Sequence, residues 1–118
     1  MFITQFEVPG ATDIMNANAN WKYRWSHAKR WKAMVAAAVL AYRAKPPVPL
    51  TRSRLVLTRC SAVEPDPDNL AASFKPVIDG LREAGVIEND RSCNVEICYR
   101  WRKAPRGSKK MLVEVYER

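Results

Sequence analysis

No Asp or Glu occurs in the fifty residues from Ile14 to Val63, a span that carries ten Lys or Arg. Such a segment cannot neutralise itself through its own ion pairs, so it points outward to a polyanion, with an anionic membrane surface as the second choice. No apolar run approaches the roughly 18 residues that a membrane span requires. The N-terminus also lacks a basic region followed by a hydrophobic one, so a cytoplasmic protein with no membrane partner is expected. Three cysteines, an odd number, argue against a disulfide framework. Cys93 and Cys98 match the usual zinc spacings poorly, and a single histidine, His27, could supply nitrogen. Nothing beside His27 in sequence would orient its ring, which leaves a histidine base without support. Internal repeats and low-complexity tracts are absent.

What remains is an ordinary globular composition, 118 residues with 47% hydrophobic and 27% charged, enough for one domain over 1–118 and one core. The net charge of +8 is unevenly spread. Between Glu64 and Asn94 lie seven of the twelve acidic residues and only three basic ones, Lys75, Arg82 and Arg91. After Asp90 the chain is basic again, with eight Lys or Arg against three Glu. A carboxylate cluster repels itself and any nucleic acid that its surroundings attract. A bound cation resolves both conflicts.

The hydrophobic pattern predicts the order β-α-β-α-β-β, an α/β (α+β) domain with a small mixed sheet and two main helices. Phe2 to Val8 alternates and meets Pro9-Gly10, a strand closed by a turn. Ala11 to Asn20, with three asparagines, reads as a loop. From Ser26 to Arg43 an apolar stripe of Trp31, Met34, Val35, Ala38 and Tyr42 predicts a helix capped by Ser26 and ended by Pro46-Pro47. Arg52 to Ala62 reads as the second strand. A second helix opens near Asn69 with Asp68 as its cap, buries Leu70, Phe74, Val77, Ile78 and Leu81, and closes at Gly85. Pro76 lies inside it and predicts a kink or break. Val95 to Arg102 and Met111 to Tyr116 alternate as two further strands, expected to pair as an antiparallel hairpin.

Pro65 and Pro67 hold Glu64 and Asp66 extended, so Asp66 and Asp68 should point the same way. With Asp90 they are the candidate ligands for Mg2+, which takes hard oxygen donors and keeps several waters. Lys75 could stabilise charge on a phosphate or leaving oxygen, or simply pair with Asp79 four residues on. Asn69 could orient a ligand carboxylate or merely open the helix. In WKYRWSHAKRW, aromatics interleaved with basic residues suit base stacking and phosphate contact; core anchoring by Trp25 and Trp31 is the alternative.

The run DPDNLAASFKPVIDGLREAGVIEND, from Asp66 to Asp90, resembles the RusA family of Holliday junction resolvases, found in phages and prophages. That family carries Asp-x-Asp-Asn, a lysine and an aspartate on the following helix, then Gly-Val-Ile and an acidic pair. The likeness is close over residues 66–95. It extends more loosely to the first strand, the asparagine loop and the last two strands. It implies a homodimeric, magnesium-dependent endonuclease (manganese the alternative ion) that resolves four-way DNA junctions in recombination and repair by paired symmetric nicks. It assigns metal ligation to Asp66, Asp68 and Asp90, with Asn69 and Lys75 in support. DNA contacts are expected from Asn18, Asn20, Lys22, Arg24, Lys29, Arg30, Arg100 and Arg102. The chain departs from the family at two points: Ala72 stands where some members have their lysine, and the acidic pair reads Asn89-Asp90. The alternative from a different class is a non-catalytic basic nucleic-acid-binding module whose acidic helix docks a partner.

Overall fold

A computed structural model describes residues 2–9 and 21–118 of the chain; the side chains of residues 2, 3, 9, 21–24 and 27 are not part of that description. The turn expected at Pro9-Gly10 and the loop expected over residues 11–20 lie outside the described residues. The elements run β1 (Phe2–Pro9), α1 (Trp21–Ala41), β2 (Ser53–Ser61), α2 (Pro67–Ser73), α3 (Lys75–Glu83), β3 (Val95–Lys103) and β4 (Lys110–Glu117). This is the expected mixed α+β order, with the second helix broken into two.

The sheet has the order β1-β4-β2-β3. β4 is antiparallel to both β1 and β2, while β3 runs parallel to β2 from Ser53↔Val95 to Ser61↔Lys103. The expected β3–β4 hairpin is therefore not formed, because β2 lies between the two strands. The α2–α3 pair makes β2 and β3 a βαβ unit, and a parallel partner needs such a crossover. The segment 104–109 then bridges two strand spacings, about 10 Å, over the end of β2. Six residues reach that far easily, and the turn chemistry of Pro105 and Gly107 is used in this longer arch.

All helices cover one face of the sheet. Phe6 and Val8 of β1, Leu55 and Leu57 of β2, Val95 of β3 and Met111, Val113 and Val115 of β4 form one buried cluster with Trp31, Val35, Phe74, Val77 and Leu81 from the helices. The α1 stripe is buried as its spacing requires, apart from Met34, partly buried, and Tyr42, which is exposed and lies past the helix end, tilted against Phe6. Helix α1 starts before Ser26, so that residue is interior to the helix and not its cap. Trp31 is a core anchor at 1% exposure, whereas Trp25 is 64% exposed under the Lys29 ammonium. Core anchoring thus holds for Trp31 and not for Trp25.

α1 and α3 meet closely at Gly80, where an added Cβ would sit 2.9 Å from the Val35 Cβ. That contact explains a glycine in the middle of a helix, where its backbone freedom is a disadvantage. α3 ends at Gly85 with φ of +80°, and the Val86 amide turns back to the Leu81 carbonyl at 3.0 Å. This is the helix stop read from the sequence.

Candidate functional site

The acidic stretch is the crossover from β2 to β3. Pro67 forces the residue before it out of the helical region, and Asp66 is extended at φ −68° and ψ 163°. From there it caps α2: the Asn69 amide donates to Asp66 Oδ1 at 2.9 Å, and Asn69 Nδ2 donates to Asp66 Oδ2 at 2.9 Å. The expected cap, Asp68, is corrected to Asp66, since the helix begins at Pro67 and not at Asn69. A proline suits the first helical turn, which has no use for its missing donor. Of the two roles considered for Asn69, it does not open the helix, which starts two residues earlier, but its two donors fix the Asp66 carboxylate. Asp68 stands in the first turn, exposed, with no hydrogen bond or ion pair among the described residues.

The break expected at Pro76 falls at Phe74, and Pro76 occupies the first turn of α3, buried. Re-starting the helix there relieves the steric clash that a mid-helix proline would impose. It also sets Lys75 at the head of α3. Lys75 Nζ lies 3.2 Å from Asp79 Oδ1 and 3.2 Å from Asp90 Oδ2. Arg82, two turns on from Lys75, faces the same two carboxylates at 3.9 Å (Asp79 Oδ1) and 3.8 Å (Asp90 Oδ1). Two cations and two carboxylates thereby form a closed charge cluster.

Asp90 is delivered by a turn that Asn89 orders. Asn89 Oδ1 accepts from the Arg91 amide at 3.1 Å and from Asn94 Nδ2 at 3.1 Å. The Asn94 and Val95 amides both donate to the Arg91 carbonyl at 2.9 Å, closing the turn into β3. A carboxamide at position 89 supplies the acceptor without adding a further negative charge beside Asp90. At the other end of α3, Ile87 pairs with Leu50, which ties the exit of the helix to the approach to β2.

The electrostatics follow from these contacts. Hydrogen bonds from Lys75 hold the Asp90 carboxyl below its ordinary value, aided by the Lys75 and Arg82 charges. The hydrogen bonds to Asp79 and then Asp90 raise Lys75 above its own, against a smaller opposing effect of burial. Lys75 is consequently a fixed cation at neutral pH. Tyr99 stacks at 5.9 Å from Phe74, and burial pushes its phenol up.

The structure joins Asp66 to Asn69 and Lys75 to Asp90. Among the described residues no group of three or more His, Cys, Asp or Glu is gathered as one metal site. Asp79 and Arg82 belong to the cluster but were not among the expected site residues. Their spacing of four and seven from Lys75, one face of a helix, is the signal that marks them.

The expected DNA contacts are dispersed. Asn18 and Asn20 fall outside the described residues, as do the side chains of Lys22 and Arg24. Lys29 and Arg30 are exposed on α1. Arg100 and Arg102 are exposed on β3, where alternation turns them away from the face on which Tyr99 meets Phe74. β3 is an edge strand, so both faces are reached from the same rim. No helix among the described residues is long and apolar enough to cross a membrane. Protein-family models give no match to this sequence, and neither do the curated proteins.

Proposed function

We propose that this chain is a magnesium-dependent, structure-selective DNA endonuclease of the RusA type, which cuts four-way junctions by paired symmetric nicks. The observation that carries this reading is the meeting of Lys75 with Asp90, fifteen residues apart, on the crossover that opens with Asp66 and Asp68. A fixed lysine cation beside ionised carboxylates is the equipment of phosphoryl chemistry.

The donor set suits the ion. Carboxylate oxygens are the hard ligands that magnesium takes, and one or two carboxylates with waters and a substrate phosphate suffice. Asp66, Asp68 and Asp90 are the carboxylates that would have to converge on Mg2+, or Mn2+ in its place, since the described residues do not gather them as one site. When bound, such an ion polarises a phosphodiester and lowers the pKa of a water toward neutrality. The two Asn69 donors keep the Asp66 carboxylate in one orientation. Lys75, held protonated, stabilises negative charge on the phosphate or leaving oxygen and cannot serve as a base. The surplus of Lys and Arg supplies backbone affinity that falls steeply with salt. A two-fold dimer would present two such sites to a two-fold junction.

A labelled mobile junction incubated with the protein, with and without magnesium and mapped at nucleotide resolution, tests this directly. Paired nicks at symmetric positions are expected only with the metal. The second reading, a DNA-binding module without catalysis, draws on the mutual neutralisation of Lys75, Arg82, Asp79 and Asp90. It predicts salt-sensitive junction binding with no cleavage in any divalent ion.

A further inference from the structure

Where β2 ends, the arch 104–109 passes over it and leaves a cavity of about 460 Å³ lined by Arg59, Ser61, Val63, Arg106, Gly107 and Lys109. Three of these side chains are cationic and none is acidic. Among the described residues Arg59, Arg106 and Lys109 make no ion pair and no side-chain hydrogen bond, although Lys75, Arg82, Lys110 and Arg118 each find a carboxylate. Arg59 is the most telling. Its Nε is sealed from solvent and has no hydrogen-bond partner. Burial pulls its guanidinium below the ordinary arginine value, the mark of a cation short of a counter-charge. A half-buried charge without a partner is costly, and an anion in the cavity would offset that cost.

The walls suit an oxyanion. An arginine fork matches phosphate oxygens in two parallel bonds, and Lys109 adds a third donor. Gly107 adopts φ +83° with open space around it, so the arch presents bare backbone and no side chain at that point. The strand end beneath is firmly set: the Trp101 Nε1 donates to Ser61 Oγ at 3.0 Å, Ser61 Oγ donates to the Val63 carbonyl at 2.9 Å, and the Ala104 amide donates to the Ser61 carbonyl at 2.9 Å. The β2 side of the cavity is thus pinned by hydrogen bonds, and the arch presents Arg106, Gly107 and Lys109 across from it.

We propose that this cavity is a phosphate site that seats a backbone phosphodiester of the nucleic acid on its way to Asp66 and Asp68. The chain passes from Val63 in the cavity wall to Asp66 in three residues, a span of at most about 10 Å. A nucleic-acid strand covers that distance in about three nucleotides at ~3.4 Å each. The inference rests on the nuclease reading for the polymer that it names; the same chemistry would also accept free phosphate.

Two measurements separate the cases. Junction binding is followed from 50 to 200 mM salt in EDTA for the wild type and for Arg106→Gln/Lys109→Gln, both on the arch and outside the core. Arginine Nε–Hε resonances are followed in parallel while a duplex oligonucleotide or inorganic phosphate is added. The proposal expects the double variant to lower the log–log salt slope by about 1 to 2, at ~0.9 per lost contact, and the Arg59 resonance to move with the oligonucleotide. An unchanged slope, or an Arg59 signal that ignores DNA, overturns it. So does an Arg59 signal that answers to inorganic phosphate alone, which would make free phosphate the ligand. A wild type that never nicks the junction, yet loses slope in the variant, keeps the phosphate site and sinks the nuclease reading instead.

Discussion

The Lys75 ammonium and the Asp90 carboxylate, fifteen residues apart in sequence, are 3.2 Å apart in the fold. Lys75 heads a helix that could only restart after Phe74, and Asp90 is presented by a turn built on Asn89. The ion pair therefore reports the arrangement of the whole crossover. Lys75 is well exposed, so the pair itself contributes no more than about 1 kcal/mol to stability. Lys75→Met should accordingly shift a urea midpoint only slightly while lowering junction nicking at least a hundredfold. A large loss of stability with unchanged nicking would reverse the two roles.

The same pair sets a pH dependence. The Asp90 carboxyl is depressed in the fold, so its stabilisation is present above the ordinary carboxylate value of about 3.9 and is lost as pH falls through the lower folded one. Lys75 is raised, so its stabilisation is present below about 10.4 and is lost as pH rises through the higher folded value. The difference in unfolding free energy between wild type and Lys75→Met should be flat from about pH 5 to 9 and shrink at both extremes. A difference that instead peaks near neutrality would point to another titrating group.

Asp66 carries a structural duty that Asp68 lacks. Replacing Asp66 by Ala removes the α2 cap and should cost about 1 kcal/mol, whereas Asp68→Asn should change stability by no more than about 0.5 kcal/mol. Asn69→Ala removes the amide that steadies Asp66 but keeps the backbone donor, and should fall between the two. Thermal or urea unfolding of the three variants checks the order.

The α1–α3 contact predicts a steric effect. Gly80→Ala would press a Cβ to 2.9 Å from the Val35 Cβ, costing about 1–3 kcal/mol by overpacking. Adding Val35→Ala, which keeps that Cβ but removes the Cγ1 and Cγ2 at 3.0 and 3.3 Å, should recover part of that loss. A fully additive double mutant would mean that the helices do not meet at this point.

Much of the fold was legible because it rests on local periodicity. The strand alternation of Val95, Ile97 and Tyr99, the helical stripe from Leu70 to Leu81 and the Gly85 stop all follow from spacing. Pairing of strands does not. β3 and β4 are neighbours in sequence with turn residues between them, and nothing local says that β2 inserts there; only the crossover makes that placement favourable. The Asp66 cap was displaced by two residues because Pro67 reads equally as a loop or as a first helical turn. The Lys75–Asp79 contact was legible at helical spacing. The Lys75–Asp90 contact and the Arg59 cavity depend on tertiary folding and left no periodic trace.

Nicking of a four-way junction by Asp68→Asn, compared with wild type at equal junction binding in magnesium, reaches the central claim most directly. Asp68 is exposed and has no partner among the described residues, so its loss leaves the fold intact. The account predicts that the variant binds the junction as well as wild type and does not cut it. Equal cleavage by the two proteins would contradict the account.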